Sequence, residues 1–346
     1  MDSELKSNFM HQINEILPGI SVCDKIGAGA SAVVYKVNDN CLHRDYALKV
    51  IQGIKASKEA FKREKDILLT VNHPNVIQLY QLVEFHDEAA LLLEYASGGE
   101  LFDRIVQRTC YSEKDASECI KQILQGLLHL HAKKIVHRDL KPENLLYASE
   151  KEDSVLKIAD FGLGTIRKDD VHLMHTICGT PGYCAPEILN SKGYDEKVDI
   201  WSAGVILYIL LCGYEPFAGP NGSDKELFSN IISGSYEFHS PEWDVISDSA
   251  KNLIKNMLVV NSCERYSVKE CLEHPFISQT NCTDELEGAK EKLHLYTINR
   301  KLKKPVIAIA ACSAFSKGSK EASRGIPEQN NTKMQEASSI LVNGHT

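Results

Sequence analysis

Twelve residues constrain this chain more than any others: Ile135-Val136-His137-Arg138-Asp139-Leu140-Lys141-Pro142-Glu143-Asn144-Leu145-Leu146. Apolar residues flank a polar centre. The flanks read as short buried strands, and the centre as a loop whose geometry they hold. Within six residues the loop carries a carboxylate (Asp139), an ammonium (Lys141) and an amide (Asn144). Asp139 can accept a proton from a hydroxyl, and Lys141 can neutralise negative charge. Asn144 can lend an oxygen to a hard cation such as magnesium. Taken singly, such residues are more often solvated loop groups, so the inference depends on companions elsewhere in the chain.

Three segments supply them. Ile26-Gly27-Ala28-Gly29-Ala30-Ser31-Ala32-Val33-Val34 sets two glycines and small residues between strand-like runs. Such a loop can bring backbone N–H groups close to phosphates, although a plain hairpin turn is the blander alternative. Tyr46-Ala47-Leu48-Lys49-Val50-Ile51 places one charge inside an apolar strand. That lysine needs an anionic partner or an outlet to water. Leu156-Lys157-Ile158-Ala159-Asp160-Phe161-Gly162 ends an apolar strand on a carboxylate. An apolar anchor and a glycine after it can aim Asp160 at a bound metal ion.

In this order the segments resemble the motifs of the protein kinases: G-x-G-x-x-G-x-V, V-A-I-K, H-R-D-x-K-x-x-N and D-F-G. Ala185-Pro186-Glu187 resembles their A-P-E triplet. Ala32 stands where the third glycine of the first motif would be. The resemblance implies an α+β, bilobal protein kinase fold, with a small antiparallel sheet and one helix followed by a mostly helical lobe. It implies ATP and Mg2+ as cofactors. It also implies roles for Asp139 as catalytic base, for Lys141 beside it, and for Lys49 on the α- and β-phosphates. Glu64, on a helix from Lys58 to Thr70, is the implied partner of Lys49, with Glu59 as second candidate. Asn144 and Asp160 would hold the metal. Ile26, Gly27, Ala28, Gly29, Ala30, Ser31, Ala32, Val33 and Val34 would cover the nucleotide. Ala47, Leu93, Glu94, Ala96 and Leu146 would surround its base, with the backbone of Glu94 and Ala96 on the adenine edge. Glu100 and Glu143 would face the ribose and a basic residue of a peptide substrate. By the same resemblance Thr180 bonds Asp139 and Lys141, Glu187 pairs with Arg265, and Asp199 bonds the backbone of the catalytic loop. Lys141, two residues after Asp139, is similar to the serine/threonine class.

The 346 residues exceed what one hydrophobic core usually serves, so two lobes are expected. The chain divides into a leader (1–19), a kinase domain (20–277), a regulatory segment (278–315) and a tail (316–346) whose polar composition predicts disorder. Within the domain, Ser97-Gly98-Gly99 reads as a flexible break between lobes of about 20–96 and 97–277. Asn75 to Glu84 and Ala89 to Tyr95 read as strands, and Ser112 to Asp115 as a capping box opening a helix that runs to His131. Ser97 to Ile105 and Gly213-Tyr214-Glu215-Pro216-Phe217 resemble the calcium/calmodulin-regulated kinase group. Leu293 to Phe315 is similar to that group's regulatory segment. Arg300, Lys301, Lys303 and Lys304 there stand beside Leu302, Val306 and Ile307, which implies calmodulin as a partner. Pro305 interrupts a helix at that point. Thr176 is the candidate acceptor of a phosphate from an upstream activating kinase, with Arg138 as the cation that would bind it.

The formal net charge of −8 disfavours nucleic-acid and membrane-surface binding and suits protein substrates with basic residues upstream of Ser or Thr. The 11 cysteines include no C-x-x-C pair and no secretory signal precedes them, so they read as reduced thiols. A cytoplasmic location is expected, with the nucleus left open. Trp201 to Cys212 is the longest apolar run and is too short to span a bilayer. The alternative function is a pseudokinase-type binding scaffold; its usual signature is loss of Lys49, Asp139 or Asp160, and all three are present. A kinase of small molecules would not need Ala185-Pro186-Glu187.

Overall fold

The computed structural model describes residues 17–29, 32–55, 58–85, 87–166, 180–190, 193–219, 222–280, 282–286 and 288–302. Most of the leader, Ala30, Ser31, Thr176 and the chain from Lys303 onward lie outside the described residues.

Five strands form the first lobe: β1 Ile20–Ala28, β2 Ala32–Asp39, β3 Arg44–Gln52, β4 Leu79–Phe85 and β5 Glu88–Glu94. They pair antiparallel in the order β1-β2-β3-β5-β4. Strand alternation divides their side chains between two faces. Tyr46, Leu48 and Val50 join Leu17, Ile20, Val37, Ala90 and Leu92 in a small core on one face. Ala47, Lys49 and Ile51 point to the other. Against that second face lies α1, Lys58–Thr70, which buries Phe61, Glu64, Ile67 and Leu68. That spacing is one helical stripe, so Glu64 travels inward with the apolar residues.

Asn75 to Gln78 does not extend β4, contrary to the strand expected there. Gln78 O accepts from Glu94 N–H of β5, but Asn75 and Ile77 bond across to the second lobe. Asn75 Nδ2 donates to the Leu156 carbonyl at 2.9 Å. Ile77 N–H donates to Ile158 O, and Ile158 N–H to Asn75 O, both at 2.9 Å. Gly126 permits this approach, since a Cβ there would come within 2.8 Å of Ile158 and 3.0 Å of the Asn75 carbonyl.

Ser97-Gly98-Gly99 is a pinned connector rather than a loose break. Ser97 N–H donates to Ala148 O, Gly98 N–H to Tyr147 O, and Tyr147 N–H to Gly99 O. A Cβ on Gly98 would lie 2.2 Å from the Ser149 carbonyl, so only glycine lets the backbones meet.

The helical lobe holds α2 Leu101–Gln107, α3 Glu113–Ala132, α4 Pro186–Leu189, α5 Lys197–Cys212, α6 Asp224–Ser233, α7 Asp248–Met257, α8 Val268–Glu273 and α9 Pro275–Ser278. Short strands interrupt it: β6 Ile135–Val136, β7 Leu145–Tyr147, β8 Leu156–Ile158 and β9 Thr165–Ile166, paired β6-β9 and β7-β8. Ser112 caps α3 as its sequence predicts, with its N–H bonded to Asp115 and its hydroxyl accepting from Asp115 N–H. α5 is apolar all round and buried along its whole length after Lys197, as a central core helix must be. It ends at Gly213, φ +83°, where a Cβ would meet the backbone of Ala289 and Leu293.

This first compact unit runs to Thr297 and includes the helical residues 288–297; the second, Ile298–Thr346, is described as far as Leu302 and is helical there. Among the described residues no helix is long and apolar enough to cross a membrane.

Candidate active site

A cavity of about 730 Å³ opens under the five-stranded sheet, bounded below by β6–β8 and the loop between them. Its roof is Ile26 to Gly29 with Ala32 and Val34, and its inner wall is Ala47, Leu93 and Leu146. The wall continues along Glu94, Tyr95 and Ala96. Asp139, Glu143, Asn144 and Asp160 form the polar floor. Val33 and Glu100 do not line it. Val33 lies between Ala32 and Val34 on a strand, so it faces the opposite side of the sheet. Glu100 comes after the chain has turned at Gly98–Gly99, where it pairs with Leu146 through a backbone bridge and opens α2.

Lys49 is the electrostatic centre. Its Nζ lies 2.6 Å from Glu64 Oε1 and 3.1 Å from Asp160 Oδ1. Burial alone would lower the Lys49 ammonium, but the two carboxylates reverse that and raise it above the ordinary lysine value. Burial alone would likewise raise Asp160. Lys49 outweighs it and holds the carboxyl below the usual range, aided by the Gly162 N–H. Asp160 therefore stays ionised at neutral pH. Its backbone has φ +63°, a left-handed conformation that turns the chain out of the strand after β8. Glu59 is on the exposed part of α1, and Glu64 alone reaches Lys49.

Asp139 and Lys141 form the second cluster. Lys141 Nζ donates to Asp139 Oδ2 at 2.6 Å and to Thr180 Oγ1 at 3.1 Å. The Thr180 hydroxyl donates to Asp139 Oδ1 at 2.9 Å. An ionised carboxylate offers about four acceptor directions, so both oxygens keep capacity for a substrate hydroxyl. Asn144 Nδ2 donates to the Asp139 carbonyl at 2.8 Å, and its amide oxygen makes no bond among the described residues. Asp160 Oδ2 makes no bond among the described residues. One free carboxylate oxygen and one free amide oxygen on the same floor suit a magnesium ion, which takes few protein ligands and keeps water and phosphate oxygens. Among the described residues no group of three His, Cys, Asp or Glu side chains converges to form an all-protein metal site.

Asp199 supports the loop from beneath. Its carboxylate accepts the N–H groups of His137 and Arg138 at 3.0 and 2.9 Å, and bonds His131 Nε2 at 2.9 Å. Burial would raise this carboxyl, but the His131 bond and the backbone donor bring it below its ordinary value. His137 in turn bonds the Ala159 carbonyl and packs edge-on to Phe161, which ties the loop to the strand carrying Asp160. Glu187 and Arg265 meet in a bidentate pair, 2.7 and 2.9 Å.

The sequence reading missed some of the site. Lys157 pairs with Glu94 at 2.7 Å and so joins β8 to the end of β5. The signal was present: each charge interrupts an apolar run, and a buried charge requires a partner. Phe61, Leu68 and Ile77 also line the cavity, and nothing local distinguishes them from ordinary core residues. Arg138, expected as the cation for an added phosphate, is buried and donates to Leu163 O at 2.6 Å and Tyr194 OH at 3.1 Å.

The family model for the protein kinase domain matches residues 20–277, which includes every element of this site. The chain belongs to the protein kinase family. It is 43% identical over 317 residues to calcium/calmodulin-dependent protein kinase type IV of Homo sapiens, covering 91% of this chain and 66% of that protein. It is 47% identical over 244 residues to calcium/calmodulin-dependent protein kinase type 1 of Macrobrachium nipponense, covering 70% of each. The type 1 kinase of Caenorhabditis elegans is 44% identical over 269 residues, covering 77% of this chain and 76% of that protein. The chain spans just under two thirds of the length of the human type IV relative. The five-stranded lobe, α1 and the helical lobe are the bilobal α+β kinase fold.

Proposed function

We propose that the chain is an ATP- and magnesium-dependent serine/threonine protein kinase. One observation carries the reading: Lys49 is already bonded to Glu64 and Asp160 in a cavity whose floor also presents Asp139 and Asn144. The charges needed to hold a triphosphate and to orient a hydroxyl are thus assembled before either arrives. Lys49 would hold phosphate oxygens, with Glu64 fixing its position. Asp160 and Asn144 would hold magnesium, whose charge screens the phosphates. Asp139 would orient the acceptor hydroxyl and take its proton, while Lys141 would offset charge on the transferred group. Ala47, Leu93 and Leu146 supply apolar surface for the adenine, beside the main chain of Glu94 and Ala96. These groups favour an active enzyme over a pseudokinase-type scaffold.

Glu143 at the cavity mouth and Glu100 opening α2 support a preference for basic residues upstream of the acceptor. The kinase domain is taken as residues 20–277 and the regulatory segment as starting after it. Helical residues up to Thr297 pack on the helical lobe through Leu293, and Tyr296 OH bonds Tyr183 OH at 2.6 Å and Glu215 at 3.0 Å. Tyr183 ends the Pro181–Tyr183 turn that follows Thr180, the residue bonded to Asp139, so Tyr296 packs on the same turn. This contact supports a segment that obstructs the peptide cleft and is withdrawn by calmodulin. The relatives' printed names carry the same dependence. A cytoplasmic or nuclear enzyme fits the reading.

The test is transfer of the γ-phosphate of ATP to a serine peptide with upstream arginines. Calcium and calmodulin should raise the rate of the full chain at least about fivefold, and should not change that of a chain ending at Thr297. Equal responses would end the calmodulin reading, and no transfer to any peptide would end the kinase one.

Thr176 is proposed as the site of an activating phosphate. Arg138 keeps Nη2 unbonded among the described residues, so one donor face is available to a phosphate. After treatment with an activating kinase, Thr176→Ala should be at least about fivefold less active than the unaltered chain. Identical rates would remove Thr176 from the scheme.

A further inference from the structure

Glu215 stands in the loop after α5, and that loop is held on both sides of it. Tyr214 OH accepts from Trp243 Nε1 at 3.1 Å. Phe217 stacks on Trp201 with ring centres 5.2 Å apart. Pro216 and Phe217 are buried, whereas Glu215 is half-buried. Its side chain is therefore carried to a fixed place, on the turn after Thr180. A Cβ on Gly182 would find its three nearest neighbours in the Glu215 carboxyl group, at 3.8 to 4.0 Å. Thr180, just before that turn, bonds Asp139. The Tyr183 phenol, pushed up by burial first and by the Tyr296 hydroxyl next, also feels both Glu215 and Glu143. Folding thus sets Glu215 along the same cleft as Glu143.

The charge on Glu215 is not answered by a cation among the described residues. Its partner there is the Tyr296 hydroxyl, a neutral donor 3.0 Å from Oε1. Tyr296 belongs to the terminal helical residues, and its ring packs edge-on to Phe102 of α2 at 5.9 Å. Withdrawal of Tyr296 takes the donor from the carboxylate and the cover from Phe102. The space left has an aromatic ring on one wall and a half-buried carboxylate on another. A half-buried carboxylate without a donor is costly, so the vacated place favours a new one.

What fits is a cation on an apolar stem. A phosphate would be repelled. A metal ion would need more ligands, and among the described residues no group of three His, Cys, Asp or Glu side chains converges. An arginine brings a planar guanidinium that can take both carboxylate oxygens, and a stem that can lie against Phe102. We propose that Glu215 is a specificity-determining residue that receives an arginine side chain of the peptide substrate, and that Tyr296 occupies the same place when the terminal segment is docked. Peptide and Tyr296 are then alternatives for one acceptor. This adds a carboxylate to Glu100 and Glu143, and it rests on the kinase reading only in taking the basic ligand to be a substrate.

The probes are labelled arginine-rich peptides with Ala at the acceptor position, and a set in which each Arg in turn is Ala. Their fluorescence anisotropy is titrated with two forms of the full chain. Tyr296→Ala uncovers Glu215, and Tyr296→Ala/Glu215→Gln keeps its shape while removing its charge. Ala suits a helix and Gln matches Glu in size, so both should fold, which melting curves check. One arginine should be worth at least about fivefold in affinity to the first chain and less than about twofold to the second. A probe with Glu at that position should bind best to Tyr296→Ala/Glu215→Lys. With Ser restored, Glu215→Gln should raise KM for the arginine peptide at unchanged kcat, and leave KM for the peptide lacking that arginine unaltered. If every arginine has the same value in both chains, Glu215 only anchors Tyr296 and the proposal is overturned. Equal affinity of the unaltered and Tyr296→Ala chains would overturn the shared occupancy. The expected binding pattern without phosphorylation of any serine peptide would keep Glu215 as the arginine receptor and remove the kinase reading instead.

Discussion

Asp139→Asn should lower kcat by about 10²- to 10⁴-fold while leaving ATP binding intact. The amide has nearly the same shape as the carboxylate, so the Thr180 and Lys141 contacts at 2.9 and 2.6 Å can be kept in altered form. What disappears is the negative charge and the oxygen that takes the hydroxyl proton. Asp139 makes no bond to Lys49, so the ion-paired cluster of Lys49, Glu64 and Asp160 remains. Nucleotide affinity measured by calorimetry, set beside steady-state peptide phosphorylation, separates the two effects. A variant that turns over normally would show that Asp139 only supports the loop, and the catalytic assignment would fail. Loss of ATP affinity together with rate would instead report a collapsed floor.

Arg265→Ala should cost about 3–5 kcal/mol of folding stability, with the kinase site itself untouched in sequence. The Arg265 side chain is fully buried and its guanidinium grips both oxygens of Glu187. It also donates to the carbonyls of Val259 and Lys197 and stacks over Trp201, 5.0 Å from the ring centre. Removing it strands the Glu187 carboxylate, 8% exposed, in a place where water cannot replace the lost donors. Glu187→Ala strands the opposite charge and should cost a similar amount. The double replacement should cost less than the two single costs added, because neither charge is then left alone. Urea unfolding of the three variants is the measurement. Full additivity would mean that the pair contributes nothing as a pair.

These two sites differ in how they could be found. Asp139, Lys141 and Asn144 sit within one short loop, and their chemistry was readable because spacing along the chain is spacing in space there. Lys49 was readable for another reason: one charge in an apolar strand demands a partner. The resemblance to the kinase motifs implied Glu64 rather than Glu59, and the buried stripe of Phe61, Glu64, Ile67 and Leu68 supplies the physical reason. Asn75 to Gln78 misled for the converse reason. Its apolar residues fit a strand, and only the position of β8 decides that they pair across to the other lobe. Ser97-Gly98-Gly99 looked loose because glycine permits freedom, yet here the missing side chains permit close contact with Ser149 and Tyr147.

The chain alone marked the candidate residues and the elements that carry them, since local period, motif order and isolated charges are properties of neighbours in sequence. Tertiary structure decided the rest. It brought Asp199 under His137 and Arg138, Tyr296 against Glu215, and Lys157 onto Glu94. None of these pairs is near in sequence. Each forms because closing the core leaves a buried polar group that must find its partner from whatever segment packing has placed beside it.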